Sequence, residues 1–346
     1  MDTKEIDFTD GIRQFYIPRL NTISKSADVS LRRWLASRDS FIPAYIGPGD
    51  SFELLFYDIS ALLSCVASDI SRLSCASIES LNSINESMES RKFLAWDLVK
   101  YYYSAFFSAH STLKICGFGL IQLDHEIVCN IKRRASTLGV TFPSISQGVY
   151  CFRTDVIASK VTFFKVSRYD DSHKGLWHRY IDFLNVLSGV SVETENLDSN
   201  CIRKNESGKR PQKCVYSQVP LADAETIVTR IDELKTAINR RGDSNWLSTI
   251  RNTINYNHAY GVWFPYKRFE ESHYQLLSFK DLYFLSPLDE KLGIDSTTDL
   301  LAFVKCCLLV NSINYSLLVD LGKRHPEKKS FLLYGPFSYI KLYKRH

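Results

Sequence analysis

The segment RNTINYNHAY, residues 251–260, carries side chains that could act on a phosphate group. Arg251 can direct two N–H groups at phosphate oxygens and stays charged, and His258 can accept or donate a proton near neutral pH. Their separation of seven residues returns to within about 20° of the same helix face, about 10 Å further along, with Asn255 between them. Both can reach one phosphate only if the helix ends or bends near His258, as Gly261 favours, or if a second chain completes the site.

The spacing of this pair is not evidence by itself, because similar pairs occur elsewhere in the chain. Arg168 precedes His173, and Arg268 precedes His273. About 1.5 pairs at separations of five to seven are expected by chance for this content of Arg and His. The surroundings of a pair must therefore distinguish it.

The surroundings of Arg251 and His258 differ from those of the other pairs. Arg251 is followed directly by the small polar residue Asn252, and His258 is followed two places later by Tyr260. The stretch before Arg251 also has apolar residues at helical spacing, which can anchor one face of a helix: Trp246, Leu247 and Ile250.

This arrangement resembles the signature of the HEPN superfamily (higher eukaryotes and prokaryotes nucleotide-binding). In that family an Arg, usually followed by a polar residue, precedes a His by four to six intervening residues. In its toxin branch a Tyr stands two places after the His, as Tyr260 does here. The stretch YYYSAFFSAHSTLKICG, within residues 91–117, is similar to an early helix of the family. The long segment between these two stretches departs from the compact members.

The resemblance implies an α-helical bundle, often a homodimer, that cleaves RNA without a metal ion or other cofactor in a bacterial toxin–antitoxin or phage-defence system. Arg251 would bind the scissile phosphate, and His258 would act as general base or acid on the 2′-hydroxyl or the leaving oxygen. Asn252 would orient Arg251 or the RNA. The products would include a 2′,3′-cyclic phosphate, which requires RNA. Tyr260 would be a candidate for modification by an antitoxin, and a regulatory protein is a further expected partner.

A second set of candidates lies on the long helical stretch at 91–116. Polar and aromatic side chains recur there at i, i+4, i+7 and i+11, at Asp97, Tyr101, Ser104 and Ser108. One interpretation is that this stripe faces the Arg–His pair and shapes a cleft together with Asn255. The other is a partly wet helix face.

Two other features of the chain have alternative interpretations. His110 lies in an apolar stretch and fits a packing residue better than a catalyst. The run GVWFPY, residues 261–266, fits a packed plug after the active helix, or a stacking platform for a base.

Composition places the chain in an ordinary globular class. Of its 346 residues 45% are hydrophobic and 23% charged, which argues against disorder. Nine scattered cysteines without a CxxC pair predict free thiols and no metal site. The net charge of +5 permits a polyanionic partner. The polar N-terminus and the short apolar runs, such as LAFVKCCLLV, predict a soluble, cytoplasmic protein with no membrane partner.

Hydrophobic periodicity predicts a mostly α fold, a HEPN-like helical bundle with an inserted irregular or β-hairpin segment. Residues 1–45 are expected to form an N-terminal extension, and 46–346 a helical domain with an insertion at about 140–220. Asp243 or Ser244 should cap the helix of Arg251. Predicted helices cover 51–75, 91–116, 122–139, 174–189, 221–241, 245–258 and 298–322, with a hairpin in 148–168 and a loop at 190–220.

Three functions remain open from the sequence. The first is the endoribonuclease described above. The second is a non-catalytic HEPN module that binds a nucleotide or a partner protein, in which the same polar stretch holds an anion or caps a helix. The third is a structural bundle in which Arg251 pairs with an acidic neighbour.

Overall fold

A computed structural model describes most of the chain in ten stretches, which are residues 7–37, 41–46, 51–84, 94–139, 145–166, 172–189, 221–242, 244–263, 275–294 and 298–343. The chain forms two compact units. We call one the helical unit, and it consists of Met1–Gln14, Ala76–Ala109 and Trp177–Val319. The other, the sheet unit, consists of Phe15–Cys75, His110–Leu176 and Asp320–His346.

Helices dominate the described residues, which confirms the prediction of a mostly α protein. The α-helices are α1 Leu31–Ser37, α2 Ile59–Asn82, α3 Ala95–Ile115, α4 His125–Thr137, α5 Ser172–Leu187, α6 Leu221–Ile238, α7 Trp246–Asn257, α8 Asp299–Lys323 and α9 Pro336–Tyr343. Short 3₁₀ segments lie at Phe8–Gly11, Arg13–Phe15, Leu20–Thr22, Ala259–Gly261, Leu277–Phe284, Glu290–Leu292 and Phe331–Tyr334.

The sheet unit contains a five-stranded antiparallel sheet of order β1-β2-β5-β4-β3. Its strands are β1 Phe41–Ile46, β2 Phe52–Phe56, β3 Phe118–Leu123, β4 Gly148–Asp155 and β5 Lys160–Lys165. The predicted hairpin is confirmed as β4 and β5. The β structure is not confined to an insertion, however, because this hairpin pairs with β2 on one side and β3 on the other.

The strand β2 corrects the helix predicted from residue 51. Phe52, Leu54 and Phe56 are buried while the residues between them are partly exposed, which is the two-residue period of a strand. Phe52 stacks on Phe163 of β5, with ring centroids 4.8 Å apart. Helix α2 begins only after Asp58, whose Oδ1 accepts hydrogen bonds from the next turn's amides.

The strand β3 shortens another predicted helix, that at 122–139. Asp124 is the N-cap of α4, and its Oδ1 accepts a hydrogen bond from the amide of Ile127, so the residues before it are free to pair with β4. Gly117 has φ +80° and follows the end of α3. Gly119 instead lies within β3, where a Cβ would stand 2.6 Å from the ring of Phe152.

The expected division into an N-terminal extension, 1–45, and a helical domain, 46–346, stays a prediction. Residues up to Gln14 belong to the helical unit, and the residues from Phe15 through β1 and β2 belong to the sheet unit. Of the predicted insertion, β4 and β5 belong to the sheet unit, and the loop predicted at 190–220 lies outside the described residues.

A polar cluster lies in the core of the helical unit, between segments of α2, α3 and α8. The Oδ1 atom of Asn311 accepts hydrogen bonds from three serine hydroxyls, at distances of 2.7 to 2.9 Å. They belong to Ser77, Ser104 and Ser108, and all four residues are buried. The amide nitrogen of Asn311 donates to the carbonyl of Cys307. Buried polar groups require such partners, so this cluster specifies how the three helices are aligned within this unit.

Helices α2 and α8 are long and apolar enough to cross a membrane by length and composition alone, whereas the sequence led us to expect only short apolar runs. The most apolar window of α8 is 78% buried inside the protein, and that of α2 is 44% buried. Core helices of soluble proteins have the same properties, so these two helices are weak evidence for a membrane span. A cytoplasmic location remains a prediction.

The described cysteines are free thiols, as the sequence predicts. Cys65, Cys116, Cys306 and Cys307 are buried, and Cys129 is exposed. Burial raises the pKa of Cys116, Cys306 and Cys307 above the ordinary range of a thiol. These three side chains therefore behave as small apolar groups.

Candidate functional site

Helix α7 carries the Arg–Asn–x5–His motif and has one fully buried apolar face. Trp246, Leu247, Ile250 and Ile254 are completely buried, which confirms the predicted anchor. The N-cap of α7 is neither of the two predicted residues, Asp243 and Ser244. Asn245 occupies that position, and its side chain makes no capping hydrogen bond. Asp243 lies outside the described residues.

Arg251 lies on the buried side of α7, with only 7% of its surface exposed. Its guanidinium carbon lies 5.0 Å from the ring centroid of Tyr102 and 5.7 Å from that of Tyr103, both on α3. A guanidinium over aromatic faces is stabilised by the negative potential of the rings. Helix α3 thus does contact the motif arginine, within the helical unit.

The charge of Arg251 is not balanced by any carboxylate in the part of the chain that the structure describes. Its Nε atom is buried and has no hydrogen-bond partner there. Leaving a buried donor without an acceptor costs on the order of 1–3 kcal/mol. Arg251 therefore offers a positive charge and an unsatisfied donor.

Tyr102 is the most constrained side chain around Arg251. It is completely buried, and its hydroxyl accepts a hydrogen bond from Trp177 Nε1 at 3.2 Å. Burial raises the pKa of Tyr102 above its ordinary value of 10, while hydrogen bonds with Ser248 and Trp177 and the charge of Arg251 act in the opposite direction. Tyr102 is therefore a neutral phenol near neutral pH and does not cancel the charge of Arg251.

Helix α7 ends at Asn257, one residue before His258. His258 adopts the left-handed conformation, with φ 48° and ψ 34°, and its amide donates to the carbonyl of Thr253. Tyr260 and Gly261 also have positive φ, at 63° and 66°. The geometric condition set by the spacing, a helix that ends at His258, is thus confirmed.

The imidazole of His258 is exposed and contacts an aromatic neighbour. Its ring centroid lies 5.3 Å from that of Trp263. Trp263 Nε1 donates to the carbonyl of Ile254 at 2.7 Å, which satisfies one of the last carbonyls of α7. The described ring contacts of Arg251 and His258 are therefore with different aromatic groups, one buried and one at the surface.

The asparagines of the motif lie on the outer part of α7. Asn252 is exposed and, among the residues described, makes no hydrogen bond to Arg251. Asn255 is half-buried. The role of Asn252 in orienting Arg251 or the RNA remains a prediction.

The described contacts of the predicted stripe on α3 are with groups other than Arg251. The hydroxyl of Tyr101 donates to the carbonyl of Leu276, and Asp97 accepts an ion-pair hydrogen bond from Lys100. Ser104 and Ser108 belong to the buried cluster around Asn311. The side chains of α3 that contact Arg251 are instead Tyr102 and Tyr103. They follow Tyr101 directly, and because each residue advances the helix by about 100° they lie on another face.

Tyr260 is half-buried, and burial together with Asp299 raises the pKa of Tyr260, against the opposing charge of Arg241. Its phenol is thus protonated near neutral pH. Its role as a site of modification stays a prediction.

Among the described residues, no group of three or more His, Cys, Asp or Glu side chains is placed to hold a metal ion. His173 is half-buried, and His273 lies outside the described residues. Comparisons with family models, curated proteins and solved structures found no match to the chain. The resemblance to the HEPN superfamily therefore rests on the two sequence stretches that carry it, 251–260 and 101–117.

Proposed function

We propose that the chain is an endoribonuclease of HEPN type, with Arg251 and His258 as its catalytic residues. The observation that supports this best is on α7 itself. Arg251, on α7, has an unsatisfied buried donor and no described carboxylate partner. The exposed His258 lies just after the end of the same helix. A phosphate group bound to the guanidinium would balance its charge.

The proposed reaction uses the 2′-hydroxyl of RNA as the nucleophile. His258 takes the proton of that hydroxyl, the 2′-oxygen attacks phosphorus, and the bond from phosphorus to the 5′-oxygen breaks. Arg251 stabilises the charge that develops on the phosphate oxygens. The leaving oxygen takes up a proton, and the products are a 2′,3′-cyclic phosphate and a free 5′-hydroxyl.

A homodimer suits this reaction, because one imidazole cannot accept and donate a proton in the same step. His258 of a second copy would supply the other proton transfer. Asn252, exposed on α7, would hydrogen-bond the RNA backbone or orient Arg251 once RNA is bound. The cellular setting proposed with this activity is a bacterial defence or toxin–antitoxin system in the cytoplasm, with an antitoxin or regulatory protein as a further partner.

Replacing His258 tests the reaction with little risk to the fold, since the side chain is exposed. His258→Asn and His258→Gly both suit the left-handed conformation at this position, and glycine relieves its strain. We expect each variant to cleave a 5′-labelled single-stranded RNA at least about 100-fold more slowly. The parent's product should resist phosphatase until acid opens the cyclic phosphate.

Controls for this experiment separate chemistry from stability. Asn257→Ala changes an exposed neighbour at the end of α7 and should cleave like the parent. A DNA oligonucleotide of the same sequence should stay intact, because it lacks the 2′-hydroxyl. If both His258 variants cut RNA at the parent's rate, the proposed reaction is wrong.

A second candidate is favoured by the burial of Arg251. An arginine that is 93% buried, with its guanidinium over two tyrosine rings, suits a structural role. The chain would then be a non-catalytic module that binds a nucleotide or a partner protein. An intact labelled RNA after long incubation with the parent, together with saturable binding of a nucleotide in calorimetry, would favour this candidate over the ribonuclease.

A further inference from the structure

An aromatic cluster at the surface of the helical unit lies beside His258. It consists of Trp96 in the first turn of α3, Trp263 after α7, and the imidazole of His258. The ring centroids of Trp96 and Trp263 are 5.8 Å apart at an interplanar angle of 76°, and Trp263 lies 5.3 Å from His258. Trp96 is 56% exposed although it is one of the most apolar side chains of the chain. We call Trp96 and Trp263 the indole pair.

The indole pair is held in place by the backbone around it. Trp263 Nε1 donates to the carbonyl of Ile254, which ties this ring to the end of α7. The amide of Leu94, two residues before Trp96, donates to the carbonyl of Val262, the residue before Trp263. Leu94 and Val262 are both buried. The two indoles thus project from anchored backbone, so little entropy is lost when a ring stacks on them.

The position of the pair suggests what occupies it. Indole faces bind the faces of nucleobases with little regard to sequence, because every base has a flat π system. His258, the proposed catalytic group, is in ring contact with the pair, so a base stacked there belongs to a nucleotide whose phosphate is near the imidazole. A second protein surface is a poorer fit, because a stable interface buries about 800 Å² on each partner, far more than one indole provides.

We propose that Trp96 and Trp263 form a stacking platform for one unpaired base of the RNA next to the scissile phosphate. This proposal rests on the proposed ribonuclease function and defines its substrate class. A base inside a duplex is already stacked on both faces and cannot lie on the platform, whereas an unpaired base in a loop or a single strand can. The chain therefore acts on single-stranded RNA and not on duplex RNA.

Trp96→Leu is the decisive variant, since the side chain is largely exposed and its replacement leaves the fold intact. The probe is a fluorescein-labelled 12-nucleotide RNA with 2′-O-methyl groups at every position, which cannot be cleaved, and binding is measured by fluorescence anisotropy. We expect the full-length parent to bind this strand and to bind the matching duplex at least about tenfold more weakly. Trp96→Leu should weaken binding of the single strand about tenfold, and Trp96→Phe, which keeps a ring, by less than about threefold.

A matched control is Tyr57→Leu, which removes another exposed aromatic from the sheet unit. It should bind the strand like the parent. Equal binding by Trp96→Leu and the parent would overturn the platform, and so would equal affinity of the parent for strand and duplex. A shift of Trp96→Leu to a smaller species in sedimentation, without loss of RNA binding, would show a contact between copies and would also overturn it.

The same experiment distinguishes failure of the platform from failure of the proposed function. If Trp96→Leu loses binding while cleavable RNA stays intact with the parent, the platform stands and the ribonuclease proposal fails. If His258→Asn loses cleavage and Trp96→Leu binds and cuts like the parent, the ribonuclease stands and the platform fails.

Discussion

At the scale of single residues, the arginine of the motif is defined by the aromatic rings beneath it. Arg251 lies over Tyr102 and Tyr103, and neither ring was among the residues that the sequence suggested. A phosphate that binds Arg251 must therefore approach the edge of the guanidinium that the rings leave open. The two tyrosines are positioning residues for the arginine in the proposed reaction.

The contact between Arg251 and Tyr103 can be measured as a coupling energy. We expect Arg251→Met and Tyr103→Leu each to lower the free energy of unfolding, and their effects to be non-additive by about 0.5–2 kcal/mol, the usual worth of a cation–π contact. Urea unfolding of the parent, both single variants and the double variant gives this number.

A conservative variant separates the ring from the hydroxyl in this cycle. Tyr103→Phe keeps the ring face and should show almost no loss of coupling with Arg251. A coupling energy within about 0.3 kcal/mol of zero for Tyr103→Leu would mean that the ring does not stabilise the guanidinium.

At the scale of elements, the alignment of helices within the helical unit depends on a few buried polar atoms. Asn311 is a buried acceptor in the apolar helix α8, and three serine hydroxyls from α2 and α3 donate to it. Apolar packing alone tolerates small shifts of one helix along another, whereas these hydrogen bonds do not.

Removing Asn311 should therefore cost more than removing one of its partners. We expect Asn311→Ala to lower the free energy of unfolding by about 2–4 kcal/mol, because it leaves a cavity and buried hydroxyls without their acceptor. Ser104→Ala removes one donor and should cost about 1 kcal/mol. Urea denaturation followed by circular dichroism measures both.

Ser80→Ala is the control on α2, since its hydroxyl donates only to a carbonyl of its own helix, that of Ala76, and it is half-buried. It should change stability by less than about 0.5 kcal/mol. Equal losses for Asn311→Ala and Ser80→Ala would contradict a structural role for the cluster.

At the scale of the whole molecule, the half-buried His110 couples stability to pH. Burial lowers the pKa of His110, in the sheet unit, from 6.5 to about 3, and the charges of Lys114 and His173 lower it further. At a pH between about 3 and 6.5, the imidazole of His110 is protonated in the unfolded chain and neutral in the folded chain. Acid therefore favours the unfolded chain.

The sign of the resulting pH dependence is definite. The contribution of neutral His110 to stability is fully present above about pH 6.5 and is lost as the pH falls towards 3, with a slope of at most about 1.4 kcal/mol per pH unit. We expect the urea midpoint to fall between pH 7 and pH 5. The midpoint of His110→Gln, which cannot be protonated, should fall less over this interval.

The comparison of these two slopes cancels the titration of other groups that both proteins share. Parallel curves for parent and His110→Gln would show that His110 has the same pKa in the folded and the unfolded chain. The prediction from sequence that His110 is a packing residue is consistent with its low pKa, because a buried imidazole is most stable when neutral.

Local patterns in the sequence were sufficient for the seven longer helices, α2 to α8, except for the starts of α2 and α4, and for the end of α7. Apolar residues at spacings of three and four, together with Gly117 after α3, define segments whose hydrogen bonds are internal. The turn beyond His258 follows from Gly261 and from a run of weak helix formers. The hairpin of β4 and β5 was predictable for the same reason, since its two strands are neighbours in the chain.

Only the tertiary structure decided which strands join the sheet and which side chains surround Arg251. Phe52 pairs with Phe163, so the role of β2 depends on a partner far away in the chain, and its apolar residues fit a helix equally well when read alone. Arg251 likewise reads as a polar residue on a helix, and its burial follows from the rings that α3 places against it. Local periodicity indicates which residues are shielded from water, but it does not indicate which groups they contact in the folded protein.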